Sequence, residues 1–311
     1  MADLRIEDIN REALASPQGY VLSAEEKYRS TISSLAERIC SGGIIKIVLL
    51  AGPSGSGKTT TANLLSDAIK ANGEDCMVVS LDDFYRDASD PDYPRLENGE
   101  RDFETVEALD IKKLTATLTD MVELREFSVP RYDFKTGRVA EVRHYAPIND
   151  GCVIIEGLHA LNPRIFSSLP ADSVLKIFIS VSTNITRGGE RILSGRKIRF
   201  CRRMVRDNLY RGASAERTLD FWDGVLRGED KYLYPTRRYA DITFDTFHAF
   251  ELSVMRPFVE ALISDGLAAQ NAYASTVLAA VRHAIPLKID LVPENSLIRE
   301  FIPGGKYEHL Y

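Results

Sequence analysis

Ile44-Ile45-Lys46-Ile47-Val48-Leu49-Leu50-Ala51-Gly52-Pro53-Ser54-Gly55-Ser56-Gly57-Lys58-Thr59-Thr60 is an apolar run that passes straight into a glycine-rich turn ending in Lys-Thr. The apolar part has the length of a buried strand, and the residues from Lys58 onward read as a helix. Every fixed position of G-x-x-x-x-G-K-[ST] is filled between Gly52 and Thr59. Glycines at these places let the backbone bring its N–H groups against phosphate oxygens. Lys58 then reaches the β/γ-phosphates and the Thr59 hydroxyl ligates Mg²⁺. The stretch predicts a phosphate-binding loop for a nucleoside triphosphate inside an α/β fold.

The 311 residues are 44% hydrophobic, enough for one substantial core with short extensions. A net charge of −6 speaks against general nucleic-acid binding, which needs an excess of Lys and Arg on one surface. Cys40, Cys76, Cys152 and Cys201 are far apart, with no C-x-x-C pair, so neither a zinc site nor a disulfide framework is expected. Buried thiols in a reducing compartment are. The acidic start, Met1 to Asp8, lacks a secretory pattern, and no run approaches the roughly 18 apolar residues of a membrane span. The expectation is a cytoplasmic protein with no membrane or nucleic-acid partner.

Residues 1–40 read as an N-terminal helical extension, with Ser23-Ala24-Glu25-Glu26 as a capping box ahead of Tyr28, Ile32, Leu35, Ala36 and Ile39. Residues 41–265 are expected to form the core around the phosphate-binding loop and 266–311 a C-terminal helical extension and tail. Within the core, strands are expected over 44–51, 76–81, 152–157, 173–181 and 241–245. Helices are expected over 58–71, 109–124 and up to about 263, with a hairpin over 129–138 and a surface loop over 86–103. Such alternation predicts a three-layer sandwich around a mostly parallel sheet, with a small hairpin subregion and an Arg-rich helical lid.

Phosphoryl transfer needs a cradle for the triphosphate, a metal, a proton acceptor and cations against the transferring oxygens. Leu81-Asp82-Asp83-Phe84-Tyr85 puts two carboxylates just past the second strand, and Asp82 is placed to take a hydroxyl proton. The same acids could instead cap the next helix. Glu156 ends the run Val153-Ile154-Ile155, where a carboxylate can hold Mg²⁺ or orient the acceptor. Residues 196–212 carry seven cations in an otherwise acidic chain. On a helix, Arg199, Arg202, Arg203 and Arg206 share a face with Arg211 just beyond, as in a lid over phosphates or a solvated basic helix.

Taken in order, these segments resemble the uridine kinase and phosphoribulokinase family of P-loop small-molecule kinases. Leu81-Asp82-Asp83-Phe84-Tyr85 is similar to the family's Gln-Asp-Ser-Phe-Tyr, and Val129-Pro130-Arg131-Tyr132-Asp133-Phe134 to its Pro-x-Tyr-Asp-Phe hairpin. Ile154-Ile155-Glu156-Gly157-Leu158 resembles its Glu-Gly-Ile strand end. Arg202-Arg203-Met204-Val205-Arg206-Asp207 resembles its Arg-Arg-x-x-Arg-Asp, and Pro235-Thr236-Arg237-Arg238-Tyr239-Ala240-Asp241 its Pro-Thr-Lys-Lys-Tyr-Ala-Asp.

The resemblance implies transfer of the ATP γ-phosphate to a hydroxyl of a nucleoside or similar small polyol. Asp82 would be the base, with Lys58, Arg206 and Arg211 on the transferring phosphates. Gly52, Ser54, Gly55, Ser56, Gly57, Lys58, Thr59 and Thr60 would surround the nucleotide, and Thr59 and Glu156 would face Mg²⁺. Asp82, Tyr85, Glu104, Tyr132, Glu156 and Arg203 would surround the acceptor. By analogy it also implies self-association into a homo-oligomer. Three substrate-side positions depart from the family pattern: Glu104 stands at its ribose-binding Asp, Thr136-Gly137 replaces its hairpin His, and Ala213 replaces the second Arg of Arg-Gly-Arg. A regulatory nucleotide switch acting on a protein partner is the alternative from a different class.

Overall fold

The computed structural model describes residues 3–97 and 99–310. Met1, Ala2, Asn98 and Tyr311, which fall in the expected extension, loop and tail, lie outside the described residues. In chain order the strands are β1 (Asp3–Arg5), β2 (Ile47–Ala51), β3 (Asp75–Ser80), β4 (Phe127–Asp133), β5 (Arg138–Tyr145), β6 (Gly151–Glu156), β7 (Val174–Ser180), β8 (Asn184–Arg187), β9 (Glu190–Leu193) and β10 (Ile242–Asp245). The helices are α1 (Ile6–Ala15), α2 (Pro17–Cys40), α3 (Lys58–Ala71), α4 (Ile111–Val122), α5 (Pro163–Phe166), α6 (Gly195–Arg211), α7 (Ala215–Gly228), α8 (Glu251–Leu262), α9 (Asp265–Gln270) and α10 (Ala272–Val281).

Five strands make one parallel sheet in the order β10-β7-β2-β6-β3, with β2 at its centre. Because strand side chains alternate, β2 sends Val48 and Leu50 to one face and Ile47, Leu49 and Ala51 to the other. The first face is covered by α1, α2, α3, α6, α8 and α10, and the second by α4, α5 and the β4–β5 hairpin. This three-layer α/β arrangement is the one expected for strands whose residues are buried on both sides.

Register puts the functional strand ends side by side. Glu156 at the end of β6 lies opposite Leu50 of β2 and Ser80 of β3, so the turns after these three neighbouring strands open on one crevice.

Several local expectations are corrected. α2 starts at Pro17, not after Ser23, because proline is preorganised for a first helical position; Ser23 is therefore interior to the helix and caps nothing. A second sheet, β1-β8-β9, has no counterpart among the expected strands, its members being only three or four residues long. The C-terminal helix is two helices, broken where the Asn271 side chain accepts from the Ala274 N–H and caps α10. Cys76 and Cys152, remote in sequence, face each other on β3 and β6 with sulfurs 3.9 Å apart, and all four cysteines are free. Residues of both terminal stretches, Ile6, Ile9, Val21 and Ile32 on one side and Val277, Leu297 and Phe301 on the other, belong to the same apolar cluster as β2 and α3.

Candidate active site

The turn between β2 and α3 is held from behind through its own carbonyls. Arg199 donates to Ser54 O at 2.7 Å, Arg202 to Gly55 O at 3.3 Å, and the Thr246 hydroxyl to Ser56 O at 2.7 Å. Three of the loop's carbonyls are thus turned into the protein, and the Ser54 and Ser56 N–H groups are themselves bonded, to Glu229 at 2.9 Å and to the Pro53 carbonyl at 3.2 Å. Gly55 and Gly57 adopt φ of +72° and +86°, which other residues rarely do. A β-carbon on Gly55 would stand 2.7 Å from the Arg199 carbonyl oxygen, so the loop and α6 pack at glycine distance. α3 begins directly at Lys58 with its first-turn N–H groups lacking carbonyls in their own helix, which is the geometry that receives an anion. The Ser56 hydroxyl is buried without a protein partner. Glycine backbone, helix terminus and orphaned hydroxyl all fit a bound triphosphate.

This arrangement corrects the reading of the Arg-rich segment. α6 is a regular helix capped by Ser194 and ended by Gly212, and its four stripe arginines divide by partner. Arg199 forms a doubly hydrogen-bonded pair with Glu229 (2.7 and 2.8 Å), and Arg202 one with Glu251 (3.0 and 2.6 Å), all four side chains being buried. A buried guanidinium requires a carboxylate, so Arg199 and Arg202 are scaffold and not phosphate-facing groups. Arg203 instead reaches the Ser54 hydroxyl at 2.8 Å and Asp207 at 3.1 Å. Arg206 pairs with Asp207 at 3.2 Å and with Glu300 at 3.1 Å, and Arg211 reaches Asp207 at 3.3 Å from an exposed position.

Asp82 follows β3 in a short 3-10 turn, its N–H bonded to the Ser80 hydroxyl at 3.3 Å. Its side chain is open to solvent, yet it stands in the crevice with protein around it. Loss of bulk water there raises its carboxyl above the usual aspartate value, and Lys58 and Arg211 pull it back down. Glu156 is buried, and desolvation pushes it up to about 7 against the pull of Lys58, with Asp82 adding to the rise. The Thr59 hydroxyl stands 3.4 Å from Glu156 Oε1. A hydroxyl and a carboxylate are the hard oxygen donors that suit Mg²⁺. Among the described residues no three His, Cys, Asp or Glu side chains form a metal cage, so any ion here would take its remaining ligands from phosphate and water.

A cavity of about 1020 Å³ lies between residues 94–105 and α7, lined by Glu104, Arg203 and Tyr232 among others, and Arg203, which reaches Ser54, joins it to the phosphate loop. Burial pushes the Glu104 carboxyl up to about 7, with Arg203 opposing and Glu229, Asp102 and Asp82 reinforcing. Tyr232 donates to Asp102 at 3.0 Å, which stiffens this wall. Tyr85 and Tyr132 have ring centres 5.6 Å apart in an aromatic group with Phe103 and Phe134, next to a smaller pocket of about 280 Å³. The Tyr132 N–H donates to Asp83 at 3.2 Å and so fixes the hairpin to the turn bearing Asp82. Residues missed in the sequence are the loop's anchors, Glu229, Glu251 and Thr246. The single advance signal for them was a surplus of arginine that buried carboxylates had to match.

The chain is similar in sequence to several known proteins. The profile of the phosphoribulokinase/uridine kinase family matches residues 47–253. A uridine kinase of Lactobacillus helveticus is 28% identical over 198 residues, 63% of this chain and 84% of the relative. One from Borrelia duttonii is 27% identical over 227 residues, covering 71% of this chain and 98% of the relative. A solved structure described as "Possible Uridine Kinase" from Bacillus stearothermophilus superposes with a TM-score of 0.47 at 18% identity, over 70% of this chain and 100% of the other. The chain belongs to the phosphoribulokinase/uridine kinase family.

Proposed function

We propose that this family member transfers the γ-phosphoryl group of Mg²⁺·ATP to a hydroxyl of a small acceptor, a nucleoside or similar polyol. One observation carries the reading: the turns after β2, β3 and β6 bring the phosphate loop, Asp82 and Glu156 to one crevice, where Lys58 acts electrostatically on both acids. The loop N–H groups and Lys58 hold the triphosphate. Thr59 and Glu156 would hold Mg²⁺, which when bound neutralises charge on the phosphate oxygens. Asp82, kept basic enough by its raised pKa, accepts the acceptor's hydroxyl proton as that oxygen attacks in line. Arg203, Arg206 and Arg211 face the phosphates, with Arg211 the exposed member that closes over them.

The acceptor occupies the larger cavity. Glu104 and Arg203 offer a carboxyl and a guanidinium for hydroxyl groups, and Phe103 offers an apolar contact there, with the Tyr132 and Phe134 rings lining the smaller pocket on its other side. The relatives named above are uridine kinases, which supports a nucleoside. The departures at Glu104, Thr136-Gly137 and Ala213 support testing polyols beside it. No helix among the described residues is long and apolar enough to cross a membrane, and the reading requires none.

ADP release from Mg²⁺·ATP, measured over a panel of uridine, cytidine, other nucleosides, inositols and pantothenate, tests the proposal. Release that depends on one acceptor class supports it. Slow hydrolysis indifferent to every acceptor would favour the nucleotide switch instead.

A further inference from the structure

The carboxylate of Glu300 joins the two halves of the nucleotide site from a part of the chain beyond the family match at 47–253. Its Oε2 accepts from the Thr60 hydroxyl on the first turn of α3 at 2.9 Å, and its Oε1 accepts from Arg206 Nη1 on α6 at 3.1 Å. Glu300 is 3% exposed, so both bonds lie out of water, where a charge-assisted hydrogen bond fixes geometry most firmly.

The segment carrying Glu300 is itself pinned. The Ser296 hydroxyl donates to Glu25 of α2 and accepts from the Ile298 N–H at 3.1 Å. Arg299 donates to the carbonyls of Ile289 at 3.1 Å and Val292 at 2.6 Å. Leu297 fills the space at the phosphate loop where a β-carbon on Gly57 would come within 2.7 Å of it. The Phe301 ring lies 5.1 Å from the Arg202 guanidinium, and Tyr307 reaches Asp67 of α3. A rigid segment that presses on Gly57, Thr60, Arg202 and Arg206 together touches the site's machinery and not merely its surroundings.

Arg206 has five N–H donors, and the structure spends Nε and Nη2 on Asp207 and one Nη1 proton on Glu300. Held on two sides, the guanidinium has a single orientation, and the donors left over are those for an anion. Without Glu300, Arg206 would keep Asp207 alone and could swing about it, while Thr60 would lose this buried carboxylate.

We propose that Glu300 is a positioning residue for the nucleotide: it locks Arg206 to the first turn of α3, so that the C-terminal segment completes the phosphate site. The inference rests on the reading of the loop and Arg206 as triphosphate ligands.

The test is calorimetric titration of the full chain with Mg²⁺ and a non-hydrolysable ATP analogue, with thermal unfolding in parallel. It compares wild type, E300Q, E300A, R206A and the E300A/R206A double variant. E300A should weaken the analogue about 10-fold or more, the effect of losing charge-assisted bonds, and E300Q, which keeps the shape and one acceptor oxygen for Arg206 but meets Thr60 only as a donor, less. In the R206A background, removing Glu300 should cost less than about twofold, because the group it orients is gone. If E300A does not fold, the isosteric E300Q made with and without R206A carries the same comparison. Affinity unchanged or improved without Glu300, or lowered equally in both backgrounds, would overturn the positioning role alone. A wild-type chain that fails to bind the analogue would overturn the kinase reading and this inference with it.

Discussion

The Arg199 guanidinium donates to the Ser54 carbonyl at 2.7 Å while its other contacts hold Glu229, and Glu229 in turn accepts from the Ser54 N–H at 2.9 Å. One buried ion pair thus grips both sides of a single residue in the phosphate loop. The loop's shape is therefore set as much by α6 and the turn after α7 as by its own glycines.

Breaking that pair leaves an uncompensated buried charge. Glu229→Gln should destabilise the fold by about 3 kcal/mol, the cost typical of removing one partner from a buried salt bridge. Denaturant titration with an unchanged slope would report it. A loss no larger than that of an exposed pair such as Arg143–Glu141 would mean that Glu229 does not anchor the loop.

Gly55 and Gly73 separate two costs of adding a methyl group. Both have positive φ, +72° and +89°, but only Gly55 faces a backbone oxygen at 2.7 Å, whereas nothing lies within 4 Å of a β-carbon on Gly73. Gly73→Ala should cost about 1 kcal/mol for backbone strain, and Gly55→Ala clearly more, because the Arg199 carbonyl cannot move aside. Nucleotide affinity should fall only in the Gly55 variant. Equal losses in thermal stability would place the loop further from α6 than described.

Glu104 makes stability depend on pH in a definite direction. Its ordinary value of 4.5 is pushed up to about 7, mainly by burial. The folded chain thus binds this proton more tightly than the unfolded one. Raising the pH through the window from 4.5 to 7 removes stability, and above it this group takes away no more. Glu104→Gln abolishes the contribution. The variant's melting temperature should match wild type at about pH 4 and exceed it at about pH 8. Parallel curves at all pH values would show that the carboxyl is not desolvated.

Much of this fold was legible in the sequence. The 3.6-residue spacing after the loop and the glycines before it marked α3 with the bounds found, Lys58–Ala71, and the apolar runs located all five strands of the parallel sheet to within a few residues. Local signals suffice there because propensity, periodicity and turn residues agree. They failed where the answer depends on distant partners. A shared helix face shows that Arg199, Arg202, Arg203 and Arg206 point one way, but Glu229, Glu251 and Glu300, which decide what each arginine does, come from separate elements further along the chain. Strands as short as β8 and β9 carry too few residues for alternation to register, and Ser23 mimics a cap inside a helix that Pro17 had already begun.

The proposed reaction requires Asp82 and the phosphate loop to form one reactive centre. The most direct test is to measure, on Asp82→Asn, both the affinity for Mg²⁺ with a non-hydrolysable ATP analogue and the acceptor-dependent release of ADP from ATP. Binding within about twofold of wild type with turnover down by about 100-fold or more is the predicted result, since only proton transfer is removed. Turnover like that of wild type would contradict it.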